Sequence, residues 1–171
     1  WSSDVCSSDL ISAYDRGEAR RVLRAFVEGP WRAIRPAGVI ASGDLVNAKV
    51  KIPLGIGWSF SRQMVEEWAG YESVLNFGGV KRGWLDVRGN HDTFGVSKLG
   101  AAEDMFIKYG RMGAEEWLKR VYVKYLGGVR IVAVQAVQVP GPNRPFNFFG
   151  VVSELVFEEV ERVLRKGCLD E

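Results

Sequence analysis

Apolar residues recur at helical intervals between Gly17 and Gly29, at Ala19, Val22, Leu23 and Phe26, and Gly29-Pro30 closes the run. The spacing predicts an amphipathic helix. After Pro36, AGVIASGDL is a short apolar, β-like run that ends in Gly43-Asp44. KVKIPLGIG, at 49–57, is rich in Gly and Pro and predicts a surface loop. Helical spacing returns over 61–77, with Met64, Val65, Trp68, Tyr71 and Leu75 on one side. GWLDVRGNHD, at 83–92, reads as a second short strand running into a polar turn. A short helix is predicted over 101–109. VYVKYL and VRIVAVQAV, separated by Gly127-Gly128, have the alternation and punctuation of a β-hairpin. PGPNRPFNFFG reads as a loop. SELVFEEVERVLRKG is an amphipathic helix carrying Leu155, Val156, Val160, Val163 and Leu164.

The order helix, strand, helix, strand, helix, hairpin, helix defines an α/β chain. In open α/β sheets ligands gather where strands end, so the turns at 43–44 and 89–92 are where chemistry is expected. The chain has 171 residues and is 47% apolar, enough for a globular core. A formal charge of +2 names no anionic partner, and no basic stripe interleaves with aromatics, so nucleic acid is not expected as a partner. No apolar run approaches the roughly 20 residues of a membrane span, and no secretory signal pattern opens the chain. The chain as written reads as soluble. Two cysteines, Cys6 and Cys168, define no disulfide framework. The single histidine, His91, limits any metal or acid–base site to one imidazole.

Gly43-Asp44 alone is ordinary turn vocabulary. Gly89-Asn90-His91-Asp92 carries more, because an amide oxygen, an imidazole and a carboxylate follow one another on a turn tightened by glycine. One physical reading is a two-metal hydrolase. A carboxylate such as Asp44 can bridge two divalent cations about 3.5–4 Å apart, and the Asn90 carbonyl is a neutral ligand. Metal-held water ionises near neutral pH. His91, left off the metal, can protonate the leaving oxygen or stabilise charge on the phosphoryl group, and Asp92 is expected to fix its tautomer. The other reading is a turn histidine, with Asn90 and Asp92 closing an Asx-type turn. Residue types alone leave both open.

GDL at 43–45 and GNHD at 89–92 resemble the second and third motifs of the calcineurin-like metallophosphoesterases. ASGDLVNAK, WLDVRGNHDTF and GPNRPFNFFG run closer to one branch, the phosphoesterase domain of the transmembrane protein 62 group and its plant and protist relatives. The resemblance implies an incomplete calcineurin-like fold, a β-sandwich core flanked by helices, with hydrolysis of a phosphate ester by metal-activated water. It implies Asp44 and Asn90 as metal ligands, His91 and Asp92 as catalytic residues, and Arg144 and Asn147 facing the substrate. Two divalent ions (Mn, Fe or Zn) serve the intact family; at most one, weakly held, is expected here. The resemblance places the intact protein in a membrane, through segments absent from this chain, with the domain luminal or extracellular. Gln135 stands where close relatives are expected to carry an aspartate.

Three family motifs are missing: Asp-x-His on the first strand, and Gly-His and Gly-His-x-His beyond the hairpin. With His91 in the acid role, no imidazole remains for a metal. The segment WSSDVCSSDL, at 1–10, resembles one translated reading frame of a common sequencing-library adapter. The expectation is therefore a native protein beginning at Ile11, with 11–171 the N-terminal part of a phosphoesterase domain lacking its first strand and C-terminal part. Such a fragment is expected to be inactive. The rival expectation is a non-catalytic ligand-binding or interaction module of a membrane protein.

Overall fold

A computed structural model describes residues 16–50, 60–77, 79–113, 119–137 and 150–167. The chain divides into two compact units, Trp1–Arg35 and Pro36–Glu171. In the first, α1 (Arg16–Glu28) and α2 (Pro30–Ile34) follow one another, with Pro30 at the start of α2, where a missing N–H is harmless. Among the described side chains of α1, Val27 is buried, while Val22 is exposed.

The second unit runs β1 (Val39–Ala41), β2 (Lys49–Val50), β3 (Phe60–Ser61), α3 (Val65–Phe77), β4 (Trp84–Asp86), α4 (Met105–Tyr109), β5 (Val121–Leu126), β6 (Val129–Val134) and α5 (Glu154–Gly167). Two 3-10 turns, Val80–Gly83 and His91–Thr93, flank β4. The described strands form three two-stranded sheets: β1 with β4 in parallel, β2 with β3 antiparallel, and the hairpin β5–β6. This is a mixed α/β architecture built on small sheets.

Burial separates the predicted faces from the real ones. Trp68, Tyr71, Val74 and Leu75 of α3 are buried, but Val65 is exposed and Met64 packs inward just before the helix starts. On α5 Val156 is fully buried, and Leu155 and Leu164 are exposed. The segment expected to be a surface loop from 49 begins instead as strand: Lys49 pairs with Ser61 and Val50 with Phe60. Local Gly and Pro content did not reveal this partner, which lies ten residues on. Helices expected from 61 and 101 start at Val65 and Met105: Ser61 is taken up by β3, paired with Lys49, and 101–103 form bends and turns ahead of α4. Residues 1–10 and the 140–149 part of the predicted loop lie outside the described residues.

The pairing that matters for chemistry is β1–β4. Val39, Ile40 and Ala41 stand beside Trp84, Leu85 and Asp86, and the Val87 amide continues the ladder to the Ala41 carbonyl at 3.1 Å. Both strands therefore end together, and their two polar turns emerge side by side. Among the described residues no helix is long and apolar enough to cross a membrane.

Candidate functional site

Two glycines let the turns touch. Gly43 has φ +110°, in the region that favours glycine, and a Cβ on it would lie 2.5 Å from the Gly89 nitrogen. A Cβ on Gly89 would overlap the carboxylate and backbone nitrogen of Asp44. Asp44 itself sits in the left-handed region at φ 53°, which a short polar side chain tolerates better than most. Its Oδ1 accepts the His91 amide at 3.1 Å. An exposed carboxylate thus lies directly against the start of the Asn90-His91 turn.

Asn90 is half-buried and opens the 3-10 turn, its carbonyl accepting the Thr93 amide and the Thr93 hydroxyl. His91 is 7% exposed and tilts against the Phe94 ring, with centroids 4.6 Å apart. Its Nδ1 lies 2.7 Å from the Asn47 carbonyl oxygen. A carbonyl only accepts, so Nδ1 carries the proton and the lone pair of a neutral ring is on Nε2. The orienting bond at Nδ1 thus comes from Asn47, in the loop after Asp44, and not from the Asp92 carboxylate expected there.

Asp92 is wholly buried and its oxygens receive backbone amides: Val46 at 3.2 Å on Oδ1 and Gly89 at 2.8 Å on Oδ2. It clasps the two turns together. Burial pushes its carboxyl up to about 7; the amides of Gly89, Leu45 and Val46 favour the carboxylate, while the nearby charge of Asp44 opposes it.

Beneath the turns lies a polar layer that sequence reasoning did not single out. Asp86, the last residue of β4, is fully buried; its Oδ1 accepts the Met112 amide at 2.8 Å, and its Oδ2 the Arg111 amide at 2.7 Å and the Tyr71 hydroxyl at 2.9 Å. Tyr71 in turn accepts the Trp84 indole N–H at 2.7 Å, and Tyr122 donates to the Asp86 carbonyl at 2.7 Å. Burial raises the Asp86 carboxyl above its ordinary value; hydrogen bonds from Met112, Arg111 and Tyr71 oppose the rise. Burial, then the charge of Asp86, also raises the Tyr71 phenol, which stays protonated as a donor. Arg88 meets Asp104 in a buried bidentate pair at 2.6 and 2.9 Å, with Phe106 beneath the guanidinium. Its amide donates to Gln135 Oε1 at 3.1 Å. The available signal was a lone Asp inside the apolar strand WLD, facing a helix that carries Trp and Tyr.

Of the expected site residues, Asp44, Asn90, His91 and Asp92 are brought together, whereas Arg144 and Asn147 lie outside the described residues. Asp44 and Asn90 offer oxygen donors of the kind a hard divalent cation takes. Among the described residues, however, no group of three or more His, Cys, Asp or Glu side chains is placed to hold a metal.

Comparison with known proteins supports a metallophosphoesterase-like assignment for the chain. It is 33% identical over 169 residues, 98% of the chain, to "Transmembrane protein 62" of Mus musculus. It is 34% identical over 135 residues, 72% of the chain, to a "Putative metallophosphoesterase" of Arabidopsis thaliana. The chain spans 25% and 17% of the lengths of these two relatives. No family model matches the chain, and no solved structure matches it.

Proposed function

We propose that this chain carries part of the active site of a metal-dependent phosphoesterase with an incomplete calcineurin-like fold. The observation that supports the reading best is the apposition of Asp44 with the Asn90-His91 turn through the 3.1 Å bond to the His91 amide. Asp44 and Asn90 would hold divalent metal, with further ligands supplied by residues outside the described set. When bound, such ions would generate the attacking hydroxide and offset charge on the phosphoryl oxygens. His91 supplies the acid: with Nδ1–H engaged by Asn47, the doubly protonated ring carries its second proton on Nε2, gives it to the departing ester oxygen and returns to the neutral Nδ1–H form. Asp92 keeps the two turns at fixed separation. Arg144 and Asn147, which lie outside the described residues, are assigned to substrate binding by the family resemblance alone. In this reading the intact protein is a membrane protein, as the name of the mouse relative says of that protein, and we place this domain on the luminal or extracellular side.

Alone, the 171 residues are expected to turn over phosphate esters poorly, because their one imidazole is committed to proton transfer and none is left for a metal. The test is hydrolysis of an aryl phosphate with Mn²⁺ by a longer protein that contains this segment. Metal-dependent turnover that falls at least about a hundredfold in Asp44→Ala and in His91→Ala supports the reading. Turnover unchanged by either substitution, or absent, overturns it. A second reading, a non-catalytic interaction module, is favoured by the lack of a three-ligand cluster among the described residues. Absent turnover with intact folding would select it.

A further inference from the structure

We infer that Gln63 is a positioning residue for His91. This deepens the phosphoesterase reading and gives a role to a residue that no motif marks. Gln63 lies between β3 and α3, half-buried, with its side-chain amide inserted under the 3-10 turn. Its Nε2 donates to the His91 carbonyl at 3.0 Å and to the Phe94 carbonyl at 2.8 Å. Its Oε1 accepts the Trp68 indole N–H at 2.7 Å. These three partners fix the amide in one orientation: an indole N–H only donates and the two carbonyls only accept, so a flipped amide would oppose all three.

The clamp reaches the imidazole from both sides. Phe94, whose carbonyl Gln63 holds, carries the ring that lies against His91. The opposite edge is set by Asn47, which precedes the backbone joined to the Gln63 segment: the Arg62 amide donates to the Ala48 carbonyl at 2.9 Å, and the Ala48 amide donates to Glu67 at 2.9 Å. Trp68 anchors the arrangement in the core, fully buried and edge-on to Tyr71 and Phe106. Gln63 therefore links α3 to the His91–Phe94 turn and keeps Nδ1 on Asn47.

Because the chain has one histidine, its ring nitrogens can be read without assignment ambiguity. Long-range ¹H–¹⁵N spectra of the 171-residue chain, at about pH 8 where an ordinary imidazole is neutral, should show one form protonated at Nδ1. Gln63→Glu keeps the shape but removes both donors; Gln63→Met removes all three polar contacts at similar volume. Each should lower the ratio of Nδ1–H to Nε2–H tautomer by about threefold to tenfold, the worth of a hydrogen bond or two, with hairpin amide signals unchanged. An Nε2–H form in the unsubstituted chain overturns the inference whether or not the variants fold. So does an unaltered His91 spectrum in either folded variant. In a longer, active protein, Gln63→Glu should lower kcat about tenfold to a hundredfold with KM changed less than about twofold. Complete inactivity of that protein would instead defeat the phosphoesterase reading, and the tautomer spectra would still decide the role of Gln63.

Discussion

Replacing Asp86 by asparagine tests the polar layer under the site, and two opposing effects set the outcome. The carboxylate accepts three donors, two on Oδ2 and one on Oδ1. The new amide can keep Tyr71 and Arg111 on its oxygen, but its NH₂ then faces the Met112 N–H, donor against donor. One buried N–H left unpaired costs about 1–3 kcal/mol. Against this, burial raises the Asp86 carboxyl above its ordinary value in the folded chain. The folded state therefore holds the proton more tightly than the unfolded one. The stability that Asp86 contributes is complete below the ordinary carboxylate value and is lost as pH rises through the raised folded value, by at most about 1.4 kcal/mol per pH unit. Asparagine has no such dependence. Asp86→Asn should thus be least stable relative to the parent chain near pH 4, and the gap should narrow as pH rises. Urea unfolding followed by tryptophan fluorescence at several pH values measures it, with Trp84 hydrogen-bonded into the network as one reporter. A gap that widens with pH would mean that the hydrogen bonds outweigh burial and lower the folded value. That result would refute the reasoning.

Gly89→Ala should destabilise the chain by about 1–3 kcal/mol and shift the His91 amide resonance, since its Cβ overlaps Asp44; an unmoved resonance would show that the turns do not touch. Arg88→Met strands Asp104 and should cost about 3–5 kcal/mol, whereas Arg88→Met with Asp104→Leu should recover much of the loss; chemical denaturation of the three chains reads the difference. Asp44→Asn keeps an acceptor for the His91 amide at an exposed position, so its effect on stability should stay below about 0.5 kcal/mol. The same substitution should weaken Mn²⁺-induced broadening of the Asn90 and His91 amide signals in the 171-residue chain, and equal broadening in both would argue against Asp44 as a ligand.

The two turns were legible because strands that end in Gly-Asp and Gly-Asn-His-Asp announce themselves locally. Their adjacency follows from parallel pairing of β1 with β4, which fits an alternating α/β order. What stayed hidden was whatever depends on partners far along the chain. Asn47 and Gln63 look like loop polar residues until the fold lays them against His91. Asp92 looked like a partner for the imidazole because it is its neighbour. Consecutive side chains in a tight turn diverge, and the carboxylate found the amides of Val46 and Gly89 instead. The same limit applied to 49–50, where glycine and proline nearby suggested a loop and pairing with Phe60 and Ser61 made a strand. Hydrophobic spacing located α3 and α5 well but overstated their inner faces, since Val65, Leu155 and Leu164 are exposed.

The carboxylates around the two turns divide by what already occupies them. Asp86 and Asp92 are both fully buried, with backbone amides and the Tyr71 hydroxyl directed at their oxygens. A cation approaching either would have to displace backbone amides that have no water to turn to, at about 1–3 kcal/mol each. Asp44 is different: it is exposed, it stands beside the half-buried Asn90, and its bond to the His91 amide is at the surface end of the turn. Burial therefore separates two scaffold carboxylates from one that can exchange partners, a distinction that the letter D in the sequence does not carry. Among the described carboxylates at the two turns, Asp44 is the one whose exposure suits the metal-ligand role proposed for it. The buried pair serves it indirectly, Asp86 by fixing the end of β4 and Asp92 by holding the turn that presents Asn90 and His91.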